Sequence, residues 1–402
     1  MNYALPSIVT CHELNDNICY ETRCLNHISS TINLTLASYI NIAKEQIDNR
    51  QSDWELFKKY TNPYEYIHTA LPNSKLSVCK LNPISRSFYK MIEICETLDI
   101  CSCVSNDKCK TFHFAEGPGG FIEAINYLRE NSKDEYYGMT LLNEYSSTVP
   151  GWKKSDSFLK KNKNVVIWSG VSGNGDLLNA DNLLDCYNNH KMSCDIVTGD
   201  GGFDFTPDFK HQETISLKLT FAQCAFAMAT QKTGGNFVIK FFDTYTQASI
   251  DLLYILSNVY EKIYIIKPNT SRQANSEKYI VCKNFKLTNS LHIVNAMYII
   301  IKSFDKHTHP YRFVNCDIPY NFICGIQEVN AIIGQAQLEN IYTTLNLIDT
   351  YNKGKLENLK NKHISKCISW CQKFILPYNK ILLTSNIFEN ECESSKDCES
   401  NY

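Results

Sequence analysis

The sequence contains no apolar run near the ~18 residues that a membrane-crossing helix needs, which argues against a helical span. It has almost no net charge, −2 over 402 residues. No global basic field therefore marks a polyanionic partner, and any such contact must come from a local patch. Zinc spacing is absent: Cys95, Cys101, Cys103 and Cys109 come nearest but include no CxxC pair, and Cys367 and Cys371 lie four apart on a helical pattern. The 18 cysteines read as free, buried thiols in a reducing compartment. The start, MNYALPSIVTCHELNDN, lacks the basic head and apolar centre of a secretory signal, so the cytoplasm is expected. GxGxxG and GKS patterns are also missing, which argues against a dinucleotide or a P-loop nucleotide.

What is present is an alternation. Strand-like runs fall at 111–116, 136–141, 165–169, 194–199, 236–242, 262–267 and 278–283. Helical patterns fall between several of them, at 121–129, 212–231 and 247–259, and another at 85–98 opens on a serine suited to cap it. Such alternation predicts an α/β fold with a mostly parallel, Rossmann-like sheet of seven strands and helices on both faces. The last two strands are too close in sequence for a crossover helix, so they are expected to be antiparallel neighbours. Residues 1–78 read as a helical, loop-rich extension with amphipathic spacing at 40–60, and 79–290 as the core. Residues 291–385 read as a helical region, with patterns at 291–303 and, broken, 327–373. Residues 386–402 read as an acidic, disordered tail.

Chemistry-bearing residues cluster at strand ends. FHFAEGPGGF (112–121) is a strand running into a glycine-rich turn and then a helix, where backbone can approach a ligand closely. In an open α/β sheet this end of the strands is where ligands bind. GNGDLL (173–178) places Asp176 after the third strand, where it can accept from an exocyclic amine or serve as an ordinary helix cap. Within 236–242 Lys240 interrupts an apolar strand, and a buried lysine needs a partner or a task.

The ordered set GPGGF, YGMTL (137–141), TGDGGF (198–203), GGNFVIKFF (234–242) and KPNTSRQANSEKYIVCK (267–283) resembles the FtsJ-like RNA ribose 2′-O-methyltransferases. Within them it is most similar to the mRNA cap branch, which includes members from large cytoplasmic DNA viruses. The likeness covers about residues 80–290. It implies S-adenosylmethionine as cofactor, with Gly117, Pro118, Gly119 and Gly120 along its methionine and ribose side, Asp176 at the adenine, and Glu116, Phe121 and Asp200 adjoining. Glu144, beyond a strand that ends without a carboxylate, is a weak match for the cofactor's ribose.

The resemblance also carries a catalytic tetrad onto Lys90, Asp200, Lys240 and Glu277. The chemistry is consistent with this. A ribose hydroxyl must lose its proton and line up with an already electrophilic methyl, so no metal is expected. Lys240 is the candidate base, helped by burial and by the second ammonium of Lys90. Each residue has a plainer reading: Asp200 as a turn aspartate, Lys90 as a solvated helix lysine, Glu277 as the surface partner of Arg272. For the RNA, Ser271, Arg272 and Asn275 in the loop SRQANS and Arg86 near Lys90 suit phosphate and sugar contacts. The basic segment 151–163 is either an RNA track or a solvated face.

Overall fold

A computed structural model describes residues 2–7, 17–72, 74–101, 107–142, 149–202 and 211–380. The acidic tail and Glu144 lie outside these residues. The chain begins with β1 (Asn2–Ala4), β2 (Ile18–Arg23), α1 (Leu34–Asp48), α2 (Gln51–Thr61) and α3 (Ser87–Leu98). The amphipathic stretch at 40–60 is thus two helices, because Arg50 leaves helical geometry at φ −135°. The cap position of α3 is Arg86, while the Ser85 hydroxyl accepts from the Ser87 N–H at 3.3 Å.

Strands and helices then alternate as β3 (Lys110–Phe114), α4 (Gly120–Arg129), β4 (Glu135–Met139), α5 (Asp156–Lys161), β5 (Val165–Ile167), α6 (Ala180–His190), β6 (Cys194–Gly199), α7 (Gln212–Thr230), β7 (Gln231–Phe241), α8 (Gln247–Val259), β8 (Tyr260–Ile266) and β9 (Lys278–Phe285). The chain continues through α9 (Leu291–Lys302), β10 (His309–Val314), α10 (Tyr320–Asp349) and α11 (Lys353–Lys373), the last capped by the Asn352 side chain.

The seven expected strands form one sheet with β1 added at its edge, in the order β1-β8-β9-β7-β6-β3-β4-β5. From β5 to β7 the neighbours are parallel. Strand β9 is antiparallel to both β7 and β8: the connection at 267–277 is too short for a crossover, so the chain turns back and inserts between them. Strand β1 pairs antiparallel with β8, Asn2 opposite Ile266. A second pairing the sequence pattern did not mark joins β2 to β10.

Side-chain alternation along β7 defines two layers. Phe237, Ile239 and Phe241 face the core shared with α6 to α9, whereas Val238 faces the core under α3 and α4. Lys240 shares the face of Val238 by the same alternation, and its register partner on β9 is Tyr279. Helix α11 closes this second layer from outside with Ile364, Cys367, Ile368 and Trp370. Helix α10 packs on α1 where Gly334 leaves room for Leu36 and Ile40, and it meets the end of α2 through Thr344 and Thr61 hydroxyls 2.6 Å apart. Among the described residues no helix is long and apolar enough to cross a membrane, and no group of three or more His, Cys, Asp or Glu could hold a metal ion.

One buried ion pair ties the N-terminal part to the β8–β9 connection. Glu65, 1% exposed, accepts from Arg272 through both carboxylate oxygens, at 2.7 and 3.1 Å, and from Asn62 and Thr69. Burial opposes the charge of Glu65, yet Arg272 outweighs it and lowers the pKa to about 2. The folded-state value lies below the unfolded one, so this stabilisation is complete above pH ~4.5 and is lost as pH falls toward 2. Measured as unfolding free energy against pH, wild type should lose about 3 kcal/mol more across that window than Glu65→Gln; parallel curves would show that the pair contributes no acid sensitivity.

Candidate active site

The carboxyl ends of β7, β6, β3, β4 and β5 share one edge of the sheet. Strands β4 and β5 extend to one side of β3, and β6 and β7 to the other, so the order reverses beside β3. The loop after β3 carries Glu116 to Gly120 into the start of α4. Two glycines are required here. A side chain at Gly117 would lie 2.4 Å from the Gly151 carbonyl oxygen, and Gly119 has φ +107°, a conformation costly for other residues. Glu116 is 3% exposed. Its Oε1 accepts from the Phe121 N–H at the first turn of α4, while Oε2 is buried with no hydrogen-bond partner among the described residues. Burial, reinforced by the Asp200 charge, pushes its carboxyl well above the usual range.

The segment after Gly151, read from sequence as a basic track or solvated face, braces this turn. Trp152 lies against Gly119 and Gly138, and the Ser155 hydroxyl donates to the Pro118 carbonyl. The indole Nε1 of Trp152 is a second buried group there with no hydrogen-bond partner among the described residues. Asp176 stands in the loop after β5. One oxygen of its carboxylate accepts from the Leu178 N–H at 2.9 Å, and its carbonyl accepts from Asn182. The cap of α6 itself is Asn179.

Lys90, Asp200, Lys240 and Glu277 come from four separate elements and converge next to this turn. Lys90, on α3 and 5% exposed, meets Glu277 at 2.6 Å. Lys240 donates to the Asp200 carbonyl at 2.7 Å and lies 3.3 Å from its carboxylate. Tyr279 joins the two pairs: its hydroxyl donates to Asp200 at 3.0 Å and accepts from Lys90 at 3.4 Å. Burial raises the phenol far above its usual pKa, so it remains a donor. Burial pulls the Lys90 ammonium below its ordinary value against the opposing field of Glu277. For Glu277, burial alone would raise the carboxyl, but Lys90, Lys240 and Arg86 together hold it well below the carboxylate range. Asp200 is therefore more than a turn residue, and Lys90 is not solvated. Glu277 pairs with Lys90, and Arg272 with Glu65.

Arg86 is half-buried at the head of α3, and its charge reaches both Lys90 and Glu277. Ser271, Arg272 and Asn275 of the SRQANS loop make hydrogen bonds within the protein. The Ser271 hydroxyl donates to Glu277 at 2.8 Å, Arg272 grips Glu65, and Asn275 accepts from Lys267 through its carbonyl and side chain, at 2.7 and 3.0 Å. Lys267 also donates to the Glu277 carbonyl at 2.7 Å. Burial lowers the pKa of Lys267 to about 7, against the pull of Glu277. Tyr279 and Lys267 were not singled out from sequence. Tyr279 could have been, because it is an aromatic with a hydroxyl in the strand that opens right after Glu277; the three acceptors of Lys267 are set by a turn that only the fold shows.

Residues 83–285 match the family model described as FtsJ-like methyltransferase. The chain is 26% identical over 350 residues to cap-specific mRNA (nucleoside-2′-O-)-methyltransferase 2 of Danio rerio, covering 84% of this chain and 46% of that protein. It is 34% identical over 178 residues to cap-specific mRNA (nucleoside-2′-O-)-methyltransferase 1 of Mus musculus, covering 42% of this chain and 21% of that protein. The type 1 protein of Dictyostelium discoideum is 26% identical over 350 residues, covering 81% of this chain and 44% of that protein. The chain thus spans less than half the length of these curated relatives. With more than half of its residues inside the family match, and a glycine turn and four converging charged groups at one sheet edge, the chain belongs to the FtsJ-like methyltransferase family.

Proposed function

We propose that this protein transfers a methyl group from S-adenosylmethionine to a ribose 2′-hydroxyl of RNA, at the cap-proximal nucleotide of mRNA. The observation that carries the reading is the convergence of two lysines and two carboxylates, linked by Tyr279, beside a glycine turn. The activity that the relatives are named for favours capped mRNA as the substrate. The composition, rich in Asn, Ile, Lys and Tyr, fits an AT-rich genome such as that of a large DNA virus, with the reaction in the host cytoplasm.

The residues present suit the cofactor. The turn has no room for a side chain at Gly117, the buried Oε2 of Glu116 has no partner among the described residues, and α4 presents its N-terminus. Residues 116–121 would hold the methionine and ribose side, and Asp176 the adenine. When bound, the cofactor supplies an electrophilic sulfonium methyl. The protein's own part is to orient the ribose hydroxyl and remove its proton. Lys240 Nζ is the acceptor, held in place by Asp200. Lys90 and Glu277 form the other wall, and Tyr279 fixes the spacing between the two pairs. Alignment of hydroxyl and methyl contributes much of the rate.

Removal of the Lys240 amine should lower methyl transfer about 10²–10⁴-fold in Lys240→Ala, with cofactor affinity by calorimetry unchanged. Lys240→Arg should fail to restore it, because a guanidinium does not give up its proton. Full activity in either variant removes Lys240 as the base. For the cofactor, Glu116→Ala should weaken S-adenosylmethionine binding roughly ten-fold by the same method; unchanged affinity would mean that Glu116 does not meet it. Transfer to short capped RNA should far exceed transfer to uncapped RNA of the same sequence. Equal transfer would move the substrate to ribosomal or transfer RNA, and transfer to neither would leave an RNA-binding scaffold.

A further inference from the structure

Helix α11 carries six lysines against a single glutamate, in a chain whose net charge is −2. Glu357 pairs with Lys360. Lys362, Lys366 and Lys373 are exposed and form no ion pair with a carboxylate among the described residues. Their spacing places them with Ser365 and Ser369 on one helical stripe. This stripe is one wall of a groove of about 510 Å³ whose other side includes Tyr64 and Asn269. A run of lysines on a helix is ordinarily a solvated face, and a convex one. Here the charged face lines a concavity, opposite an aromatic ring and an amide.

The groove is connected to the reaction site. Asn269 and Thr270 begin the loop that leads to Glu277, and both donate backbone and side-chain hydrogen bonds to the Glu93 carboxylate. Trp370 of α11, which also lines the groove, donates its indole N–H to the same carboxylate at 3.2 Å. Glu93 lies one helical turn beyond Lys90 on α3, about 5 Å along the axis. Its charge is therefore met by donors from the loop and from α11, and the groove presents the lysines and neutral polar groups.

We propose that this groove binds the phosphate backbone of the single-stranded RNA flanking the reacting nucleotide, with Tyr64 offering a face for a base. Charge complementarity selects a polyanion, and lysines interleaved with an aromatic ring are the composition suited to an unpaired strand. The inference rests on RNA being the substrate and adds where the strand continues beyond the site.

The test measures binding of a fluorescent capped oligonucleotide about twenty residues long, by anisotropy over a salt series, with the full chain. Each lost phosphate contact lowers the salt slope by about 0.7 for a single strand. Lys362→Gln/Lys366→Gln/Lys373→Gln should therefore lower the slope by about 2 and weaken binding roughly ten-fold at 150 mM salt. The double variant Lys353→Gln/Lys355→Gln, exposed on the same helix outside the groove, should change the slope by under about 0.5. Equal loss per lysine in the two variants would show diffuse attraction and overturn the groove. So would wild-type affinity in the triple variant while the wild-type enzyme methylates RNA. A wild-type protein that neither binds nor methylates RNA would instead overturn the proposed function, and the groove with it.

Discussion

The site depends on one buried ion pair, Lys90 with Glu277. Neither charge is stable alone in a dry interior, and removing one partner of such a pair typically costs about 3–5 kcal/mol because the other is left uncompensated. The pair ties α3 to the start of β9, and its two members form one wall of the site. Through the hydroxyl of Tyr279 it is coupled to the second pair, Asp200 with Lys240. A hydroxyl between a carboxylate and an ammonium uses its donor and its acceptor at once, so its position is set from both sides. The four charged groups therefore act as one network, and a shift in any member moves the others.

The parts of the chain outside the family match converge on the loop that carries Glu277. Glu65, ahead of the core, holds Arg272. Trp370 shares the Glu93 carboxylate with Asn269 and Thr270, and Gln337 of α10 donates to the Ala274 carbonyl at 3.0 Å. Inside the loop, Lys267 binds the Asn275 and Glu277 carbonyls. A connection of this length would otherwise be among the more mobile parts of an α/β fold. The terminal additions tie it to the body of the protein through these hydrogen bonds. Ser271, Arg272 and Asn275, RNA contacts by residue type, also make hydrogen bonds within the protein.

The strands and their order were legible because each signal is local. A parallel strand buried on both faces is an apolar run bounded by turn residues, and every such run from 111 to 283 is a strand. The antiparallel β9 followed from the length of one loop. Strand β1 and the β2–β10 pair were not legible, because a short strand paired with a distant segment has no periodicity of its own. The long pattern at 40–60 concealed a break, since Asn49 and Arg50 are polar and consistent with an exposed helix face.

The sequence by itself determined the chemistry available: a lysine in an apolar strand, a carboxylate at the tip of β6, and a turn with three glycines that lacks the GxGxxG pattern of a dinucleotide site. It determined the α/β class too, because helical and strand periods differ within a few residues. Only the tertiary structure decided which groups meet. Lys90 and Glu277 are far apart in the chain, and nothing local distinguished their pairing from that of Glu277 with Arg272. Arg272 became committed to Glu65 because the N-terminal part folds back over the loop, and Lys267 acquired its role because the turn aims three acceptors at one ammonium. Local patterns set what each segment can form; the partners of its charged groups are set by long-range packing, where burial makes the choice of partner energetically decisive.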